Sequence, residues 1–150
     1  MPQSLSKIYV HFVFHTKNNT PWISEDVEKQ LHPYMSAIMR AMDSPALIVG
    51  GASEHIHILC MLSRKFAVCK IAEVVKKSSS KWMKTKGPEM RKFRWQDGYS
   101  AFSVSHSMVG RVRSYICNQK IHHQKLPFKD EFLSLLNKYK VEYEKKYLWE

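Results

Sequence analysis

The sequence predicts an α+β domain of the ferredoxin-like (RRM-like) type, in which an antiparallel sheet carries helices on one face. Segments with strand and helix periodicity alternate in the order β-α-β-β-α-β, without the long regular rhythm of a doubly wound sheet. Further helical segments follow this core. A chain of 150 residues with no internal repeat and no Gly/Ser-rich linker fits one compact domain. We therefore expect residues 1–150 to form a single domain, with the second face of the sheet free for a ligand or partner.

The first strand is predicted at residues 8–14, where branched and aromatic residues dominate. Side chains alternate between the two faces of a strand. Phe12 and Phe14 therefore share one face, and His11 and His15 share the other.

The later elements follow from apolar spacing and turn residues. Ser24 is suited to cap the first helix, and apolar residues then recur at helical spacing as far as Met42. Pro33 lies inside this pattern, so we expect a kink or a break there. The remaining predicted elements are strands at 46–49 and 55–62, a helix at 68–84 with an inner stripe of Ile71, Val74, Val75, Ser78 and Trp82, a strand pattern at 93–104 interrupted by Asp97-Gly98, and helices at 107–124 and 130–147.

The charge balance indicates a polyanionic partner. The chain has 24 Lys and Arg against 13 Asp and Glu, a net charge of +11 and a pI near 9.6. Such an excess of positive charge is typical of proteins that bind nucleic acid, and an acidic membrane surface is the second candidate. No apolar run approaches the ~20 residues that span a bilayer, so we expect no membrane partner.

The N-terminal segment and the cysteines indicate the compartment. Residues 1–6 lack the basic and apolar regions of a secretory signal. Cys60, Cys69 and Cys117 are odd in number and lack the close spacing of zinc ligands. Reduced thiols are expected inside the cell, so we predict a cytoplasmic protein.

The segment His55-Ile56-His57 is the first candidate for chemistry. On a strand, both imidazoles project to one side while Ile56 enters the core on the other. Two imidazoles at this spacing can hold one divalent cation. The alternative is a pair of histidines on a solvent-exposed strand face.

The second candidate is the helix that carries Tyr115 and Gln119. A spacing of four residues places both side chains on one helix face, and His122 and His123 extend that face. The alternative is a half-buried packing tyrosine with a solvated glutamine.

The third candidate is the basic, hydroxyl-rich segment from Lys76 to Trp82. Lysine ammonium groups neutralise phosphates and serine hydroxyls donate to phosphate oxygens. We therefore predict that Lys76, Lys77 and Lys81 bind nucleic acid. Trp82 lies on the apolar stripe and is expected to pack in the core.

Together and in this order, the three features resemble a known family. A His-hydrophobic-His strand followed by a helix with Tyr-Ile-x-Asn-Gln is similar to the single-tyrosine HUH transposases of short bacterial insertion sequences. The likeness extends over nearly the whole chain. It includes residues 11–17, 76–82 and 95–105, the pair His122-His123, and 141–149. Asn19 departs from the arginine of many relatives, and Gly110 lies in the predicted tyrosine helix, where it costs ~1 kcal/mol relative to alanine.

The resemblance implies a site and a reaction. His55, His57 and Gln119 would hold Mg²⁺ or Mn²⁺, and Tyr115 would attack a phosphate of single-stranded DNA to form a 5′-phosphotyrosine link. The DNA would carry hairpins near the element ends. Members work as homodimers in which the tyrosine helix of one subunit completes the metal site of the other. Helical spacing alone makes His122 or His123 a candidate base for the phenol.

Two other functions are compatible with the residues. A ferredoxin-like protein with a basic face can bind single strands without catalysis, and a domesticated relative of the family would keep the same residues. A small hydrolase could instead use His55, His57, His122 and His123 as zinc ligands. Loss of the phenol would leave such a hydrolase active.

Overall fold

The sheet and helices of the computed structural model, which describes residues 2–149, have the predicted ferredoxin-like order. The strands are β1 (Tyr9–His15), β2 (Ala46–Gly51), β3 (His55–Met61) and β4 (Ser100–Val104). They lie in the order β2-β3-β1-β4, and every neighbouring pair is antiparallel. The helices are α1 (Glu25–Ala41), α2 (Val68–Lys84), α3 (Val109–Cys117), α4 (Gln119–Lys125), α5 (Phe128–Lys138) and α6 (Lys145–Trp149).

One face of the sheet forms the main core with α1 and α2. Phe12 and Phe14 of β1 and Ile56 and Ile58 of β3 are buried there. The alternation read from β1 and β3 therefore assigns these side chains to the correct face.

The second face of the sheet is covered, and the expectation that it would be free is wrong. Val13 and Phe102 on that face pack against Phe128, Phe132 and Leu136 of α5. Ile116 of α3 packs against the same side in a separate cluster with Tyr9, Leu59 and Val104. The helices after β4 thus bury the face on which the histidines of β1 and β3 lie.

Two predictions about the first two helices need correction. Helix α1 runs unbroken through Pro33, which is exposed, so water can bind the carbonyl that lacks its helical partner. In α2 the buried set is Ile71, Ala72, Val75, Ser79 and Met83, so the inner stripe is shifted from the predicted one. Trp82 packs at the edge of the core and stacks on Tyr34, with 5.3 Å between ring centroids.

Three predicted elements are shorter or divided. The strand pattern at 93–104 yields only β4, preceded by a 3₁₀ turn at Pro88–Lys92 and a single bridge between Thr16 and Trp95. The helix predicted at 107–124 is divided at Asn118 into α3 and α4. The last helix ends at Lys138, because Lys140 adopts a left-handed conformation with φ +54° that cannot continue it.

Gly50 fixes how closely α3 approaches β2. A Cβ at this position would lie 2.6 Å from both Cγ2 and the carbonyl oxygen of Ile116, the neighbour of Tyr115. We expect Gly50→Ala to push α3 away from the sheet and to lower the free energy of unfolding by about 1–3 kcal/mol. Urea unfolding measures this loss.

Gly110→Ala is the matched control for that measurement. A Cβ at Gly110 meets nothing within 4 Å. Alanine there should raise the free energy of unfolding by up to about 1 kcal/mol, because it favours the helix. Equal stability of the Gly50→Ala variant and the wild type would contradict the close approach.

Candidate active site

Two histidines of β3 lie between the sheet and the covering helices, and each has a partner for its Nδ1 atom. His55 and His57 are both 0% exposed. The Nδ1 of His55 lies 2.6 Å from Oε1 of Glu54, and the Nδ1 of His57 lies 2.7 Å from Nε2 of His11. Such contacts fix the orientation of an imidazole ring. The Nε2 atoms of His55 and His57 face the helices that cover this side of the sheet.

The tyrosine helix brings Tyr115 and Gln119 over these two rings. The Oε1 atom of Gln119 lies 2.8 Å from Nε2 of His55. The ring of Tyr115 meets the ring of His57 edge-on, with 5.7 Å between centroids. All four residues predicted for the site therefore lie together within one chain.

Glu131 is a further member of the site that was not predicted from the sequence. It lies in the first turn of α5 and is only 4% exposed. Its Oε1 accepts hydrogen bonds from the Tyr115 hydroxyl and from Nε2 of Gln119, the latter at 3.0 Å, and lies 3.5 Å from Nε2 of His57. Its position between Phe128 and Leu135 on the apolar stripe of α5 was the available sequence signal.

Burial favours the neutral forms of the histidines beneath the tyrosine. It lowers the pKa of His11 to about 4. Burial likewise holds the pKa of His57 well below its usual value, and the neighbouring His11 and His55 add to the effect. A neutral imidazole keeps a lone pair available for a cation.

The Tyr115 phenol is protonated in this arrangement. Burial raises its pKa, and the hydrogen bond to Glu131 and the charge of that carboxylate raise it further. The hydroxyl is therefore held in a defined position as a donor.

The donor atoms of the site fit a divalent cation. Single ligand atoms of His55, His57 and Glu131 all lie within 4.8 Å of one another. Nε2 of His57 and Oε2 of Glu131 are buried without a hydrogen-bond partner in the described part of the chain. Unpartnered buried polar atoms are rare and need an explanation. A cation bound between them would satisfy both.

His122 and His123 do not join this group. His123 Nε2 lies 3.2 Å from Oε2 of Glu54, and the ring of His122 lies beside that of Tyr115, with 5.1 Å between centroids. The Tyr115 hydroxyl donates to Glu131 instead. The ligand groups found within residues 2–149 do not unite His55, His57, His122 and His123, as the zinc-hydrolase alternative requires.

The three lysines predicted to bind nucleic acid differ in their contacts with the rest of the chain. The ammonium of Lys76 donates to the carbonyl oxygens of Gln96, at 2.8 Å, and of Gly98, so it also holds the loop before β4. Lys77 pairs with Glu73 at 3.0 Å on the exposed surface. Lys81 is exposed. All three line a surface groove, together with Ser80, Lys84, Arg94, Trp95, Gln96 and Asp97.

A ferredoxin-like sheet with a buried histidine pair beneath a tyrosine-bearing helix is the combination that the resemblance to single-tyrosine transposases predicts. The family model described as "Transposase IS200 like" matches residues 4–119, and the chain belongs to this family. Among curated proteins, none matches the chain. No helix within residues 2–149 is both long and apolar enough to cross a membrane.

Solved structures share the fold. A candidate transposase from Deinococcus radiodurans R1 is 18% identical, with a TM-score of 0.62 over 79% of this chain and 98% of that one. A REP-associated tyrosine transposase bound to a REP hairpin is 13% identical, with a TM-score of 0.61 over 82% of this chain and 73% of that one. At such identities the likeness is one of fold.

Proposed function

We propose that the protein is a metal-dependent transposase that cleaves and rejoins single-stranded DNA through a 5′-phosphotyrosine link on Tyr115. The observation that carries the proposal is the position of the Tyr115 hydroxyl, which lies against Glu131 beside the buried His57. A phenol is a suitable nucleophile because it is also a good leaving group when the strand is resealed.

The reaction divides into two exchanges at one phosphorus atom. In the first, a bond forms between the Tyr115 oxygen and phosphorus while the bond to the 3′-oxygen breaks, leaving a free 3′-hydroxyl. In the second, a 3′-hydroxyl attacks the phosphotyrosine and releases the phenol. The phosphodiester energy is kept in the link, so no nucleotide cofactor is needed, and the sequence has no phosphate-binding GxxxxGK[ST] segment.

The residues around Tyr115 hold the reacting groups in place. Glu131 fixes the hydroxyl, while Glu54 and His11 orient the rings of His55 and His57. The metal-holding set predicted from the sequence is His55, His57 and Gln119. A bound Mg²⁺ or Mn²⁺ would supply positive charge to a non-bridging oxygen of the scissile phosphate.

The proposed substrate is single-stranded DNA that carries hairpins near the ends of an insertion sequence. The proposed site of the reaction is the cytoplasm. The net charge of +11 and the groove that contains Lys77 and Lys81 support an anionic strand as partner. The REP-associated relative was solved with a hairpin, which supports a hairpin as part of the substrate. The homodimer implied by the resemblance stays a prediction, and the sharing of the tyrosine helix between subunits is tested by mixing variants.

The proposal is tested by looking for the covalent intermediate. The protein is incubated with Mn²⁺ or Mg²⁺ and labelled single strands from both flanks of its own gene, then run on a denaturing gel. We expect a labelled protein band with single strands, which chelator or duplex DNA abolishes. Binding on a native gel without any covalent band, for every flank tried, would favour a non-catalytic single-strand-binding protein.

The groove lined by Lys76, Lys77 and Lys81 leads to a separate prediction about the affinity for single-stranded DNA. Lys81→Ala should weaken binding of single-stranded DNA, and the slope of log affinity against log salt should fall by about 0.7 for the lost phosphate contact. Fluorescence anisotropy over a salt series measures both. Lys65→Ala is the control, because Lys65 pairs with Asp43 at the surface and does not line this groove. Equal slopes for the two variants would show that Lys81 does not contact the DNA.

A further inference from the structure

We propose that the cleft between α3 and α5 holds the nucleotide next to the scissile phosphate, with its base inside the cleft and phosphates of the same strand on the two rims. The cleft has a volume of about 330 Å³, at the lower end of the range for ligand sites, about 300–1,000 Å³. Tyr115 is one of the residues that line it. The inference rests on the proposed function, because it places the strand that Tyr115 attacks.

The walls of the cleft are apolar and aromatic. Met108 and Val112 line it on the side of α3, and Leu135 and Tyr139 line it on the side of α5. All four side chains are partly exposed, so a ligand can reach them. Single-strand sites bind nucleobases by stacking, and in duplex DNA the faces of each base are already stacked. The walls therefore suit a base of a single strand.

The ring of Tyr139 is held in a fixed position. It stacks on the ring of Phe102 in β4, with 4.6 Å between ring centroids and 24° between ring planes. Phe102 is itself buried in the cluster beneath α5. A side chain that is already held in place loses little conformational freedom when a ligand packs on it. Tyr139 is therefore suited to be the stacking surface for the base.

Each helix contributes one cation to the rim of the cleft. Arg111 of α3 and Lys138 of α5 both line it, and both are exposed. Neither side chain forms a salt bridge with another residue in the described range 2–149. The described lining of the cleft also contains no carboxylate. Both cations are therefore available to phosphates on either side of a bound base.

Arg111 links the cleft to the nucleophile. It precedes Tyr115 by four residues on α3, so the two side chains lie on one helix face, about 6 Å apart along the axis. This separation is comparable to the distance between successive phosphates of an extended strand. A strand with one phosphate at Arg111 would therefore bring the next phosphate to the Tyr115 hydroxyl.

The rim contacts are tested by fluorescence anisotropy with labelled oligothymidylate over a salt series, without added metal. We expect Arg111→Gln and Lys138→Gln each to lower the slope of log affinity against log salt by about 0.7, which corresponds to about fivefold weaker binding at about 0.1 M salt. Arg113→Gln is the matched control, because Arg113 is exposed on the same helix and does not line the cleft. Slopes in both rim variants equal to that of the control would overturn the proposal.

The position of the base is tested with an abasic strand of equal length, which keeps the phosphates and lacks the bases. We expect the wild type to prefer oligothymidylate, and Tyr139→Ala to reduce that preference by about fivefold or more. The affinity for the abasic strand should be similar in both proteins. Tyr147→Ala, a change at an exposed tyrosine that does not line the cleft, is the control. Equal losses of affinity for both strands in Tyr139→Ala would indicate a structural role and overturn the assignment.

The relation to the scissile phosphate is tested on a strand that forms the covalent band. An abasic site is placed at each position that adjoins the cleaved phosphate. We expect one of these sites to lower the rate of adduct formation in the wild type and to have little further effect in Tyr139→Ala, because both changes remove the same contact. Equal effects of the abasic sites in the two proteins would show that the base next to the cleaved phosphate binds elsewhere.

A measurement on the wild type does not depend on how any variant folds. Strands that carry iodouracil are photo-cross-linked to the protein, and the linked peptides are identified by mass spectrometry. We expect a cross-link at Tyr139 or Met108. Cross-links confined to the groove lined by Lys76, Lys77 and Lys81 would refute the proposal. Neither this experiment nor the affinity measurements need metal or strand cleavage, so a failure of cleavage and a failure of the cleft assignment are distinguishable.

Discussion

Replacement of Tyr115 by phenylalanine is expected to abolish the covalent protein–DNA band, with a loss of at least about 1,000-fold. The phenylalanine ring can keep the edge-on contact with His57, but it has no oxygen to bond to phosphorus. If water attacked the phosphate in place of Tyr115, the DNA would be cleaved but would not become linked to the protein. DNA binding should stay within about twofold of the wild type, because phosphate contacts dominate affinity.

The measurement is a denaturing gel with labelled single strand and Mn²⁺, beside a native gel of the same samples. Tyr147→Phe is the control, since Tyr147 is 67% exposed and has none of the site's contacts. Loss of the phenol also removes one donor from Glu131, which costs about 1–3 kcal/mol at a buried acceptor, so unfolding of the variant must be measured alongside. A covalent band that survives in Tyr115→Phe would identify a different nucleophile.

The order of strands and helices was predictable because it depends on local apolar spacing. The alternation along β1 and β3 assigns Phe12, Phe14, Ile56 and Ile58 to the core from the sequence alone. Element ends were less predictable. The 93–104 pattern contains buried residues such as Phe93 and Trp95 that pack into the core from irregular backbone, so burial there does not indicate a strand.

The site was partly predictable for the same reason. The positions of His55 and His57 on one side follow from strand geometry, and those of Tyr115 and Gln119 from one helical turn. His11 was placed on the opposite face from Phe12, but its contact with His57 depends on the pairing of β1 with β3, which aligns Val13 with His57. The alternation of side chains along one strand does not determine how that strand is aligned with its neighbour.

Glu131 was missed because its role is entirely long-range. In the sequence it is an acidic residue in the first turn of a helix, a position that acidic residues favour for their interaction with the helix dipole. Only the packing of α5 on the second face of the sheet buries it against Tyr115 and Gln119. The same packing overturned the expectation that this face would be free.

The second large effect concerns whether each chain carries a complete site. The resemblance predicts that subunits exchange their tyrosine helices. In the structure, however, the Tyr115 hydroxyl and Gln119 contact Glu131 and His55 of the same chain. If each chain uses the site seen here, a mixture of Tyr115→Phe and His57→Ala chains is inactive, because each chain lacks one part of its own site. The resemblance predicts that the mixture regains activity.

The assay is the yield of covalent DNA adduct from the mixture, compared with each variant alone and with the wild type at equal total protein. Exchange of helices in a mixed dimer would instead restore about a quarter of the sites at equal mixing, since half the dimers are mixed and one of their two sites is intact. Thermal unfolding of each variant shows that both are folded. Recovery near that level would mean that α3 leaves its place on β2 and crosses to the partner, with the exposed Gly110 near its start as the point that allows the movement.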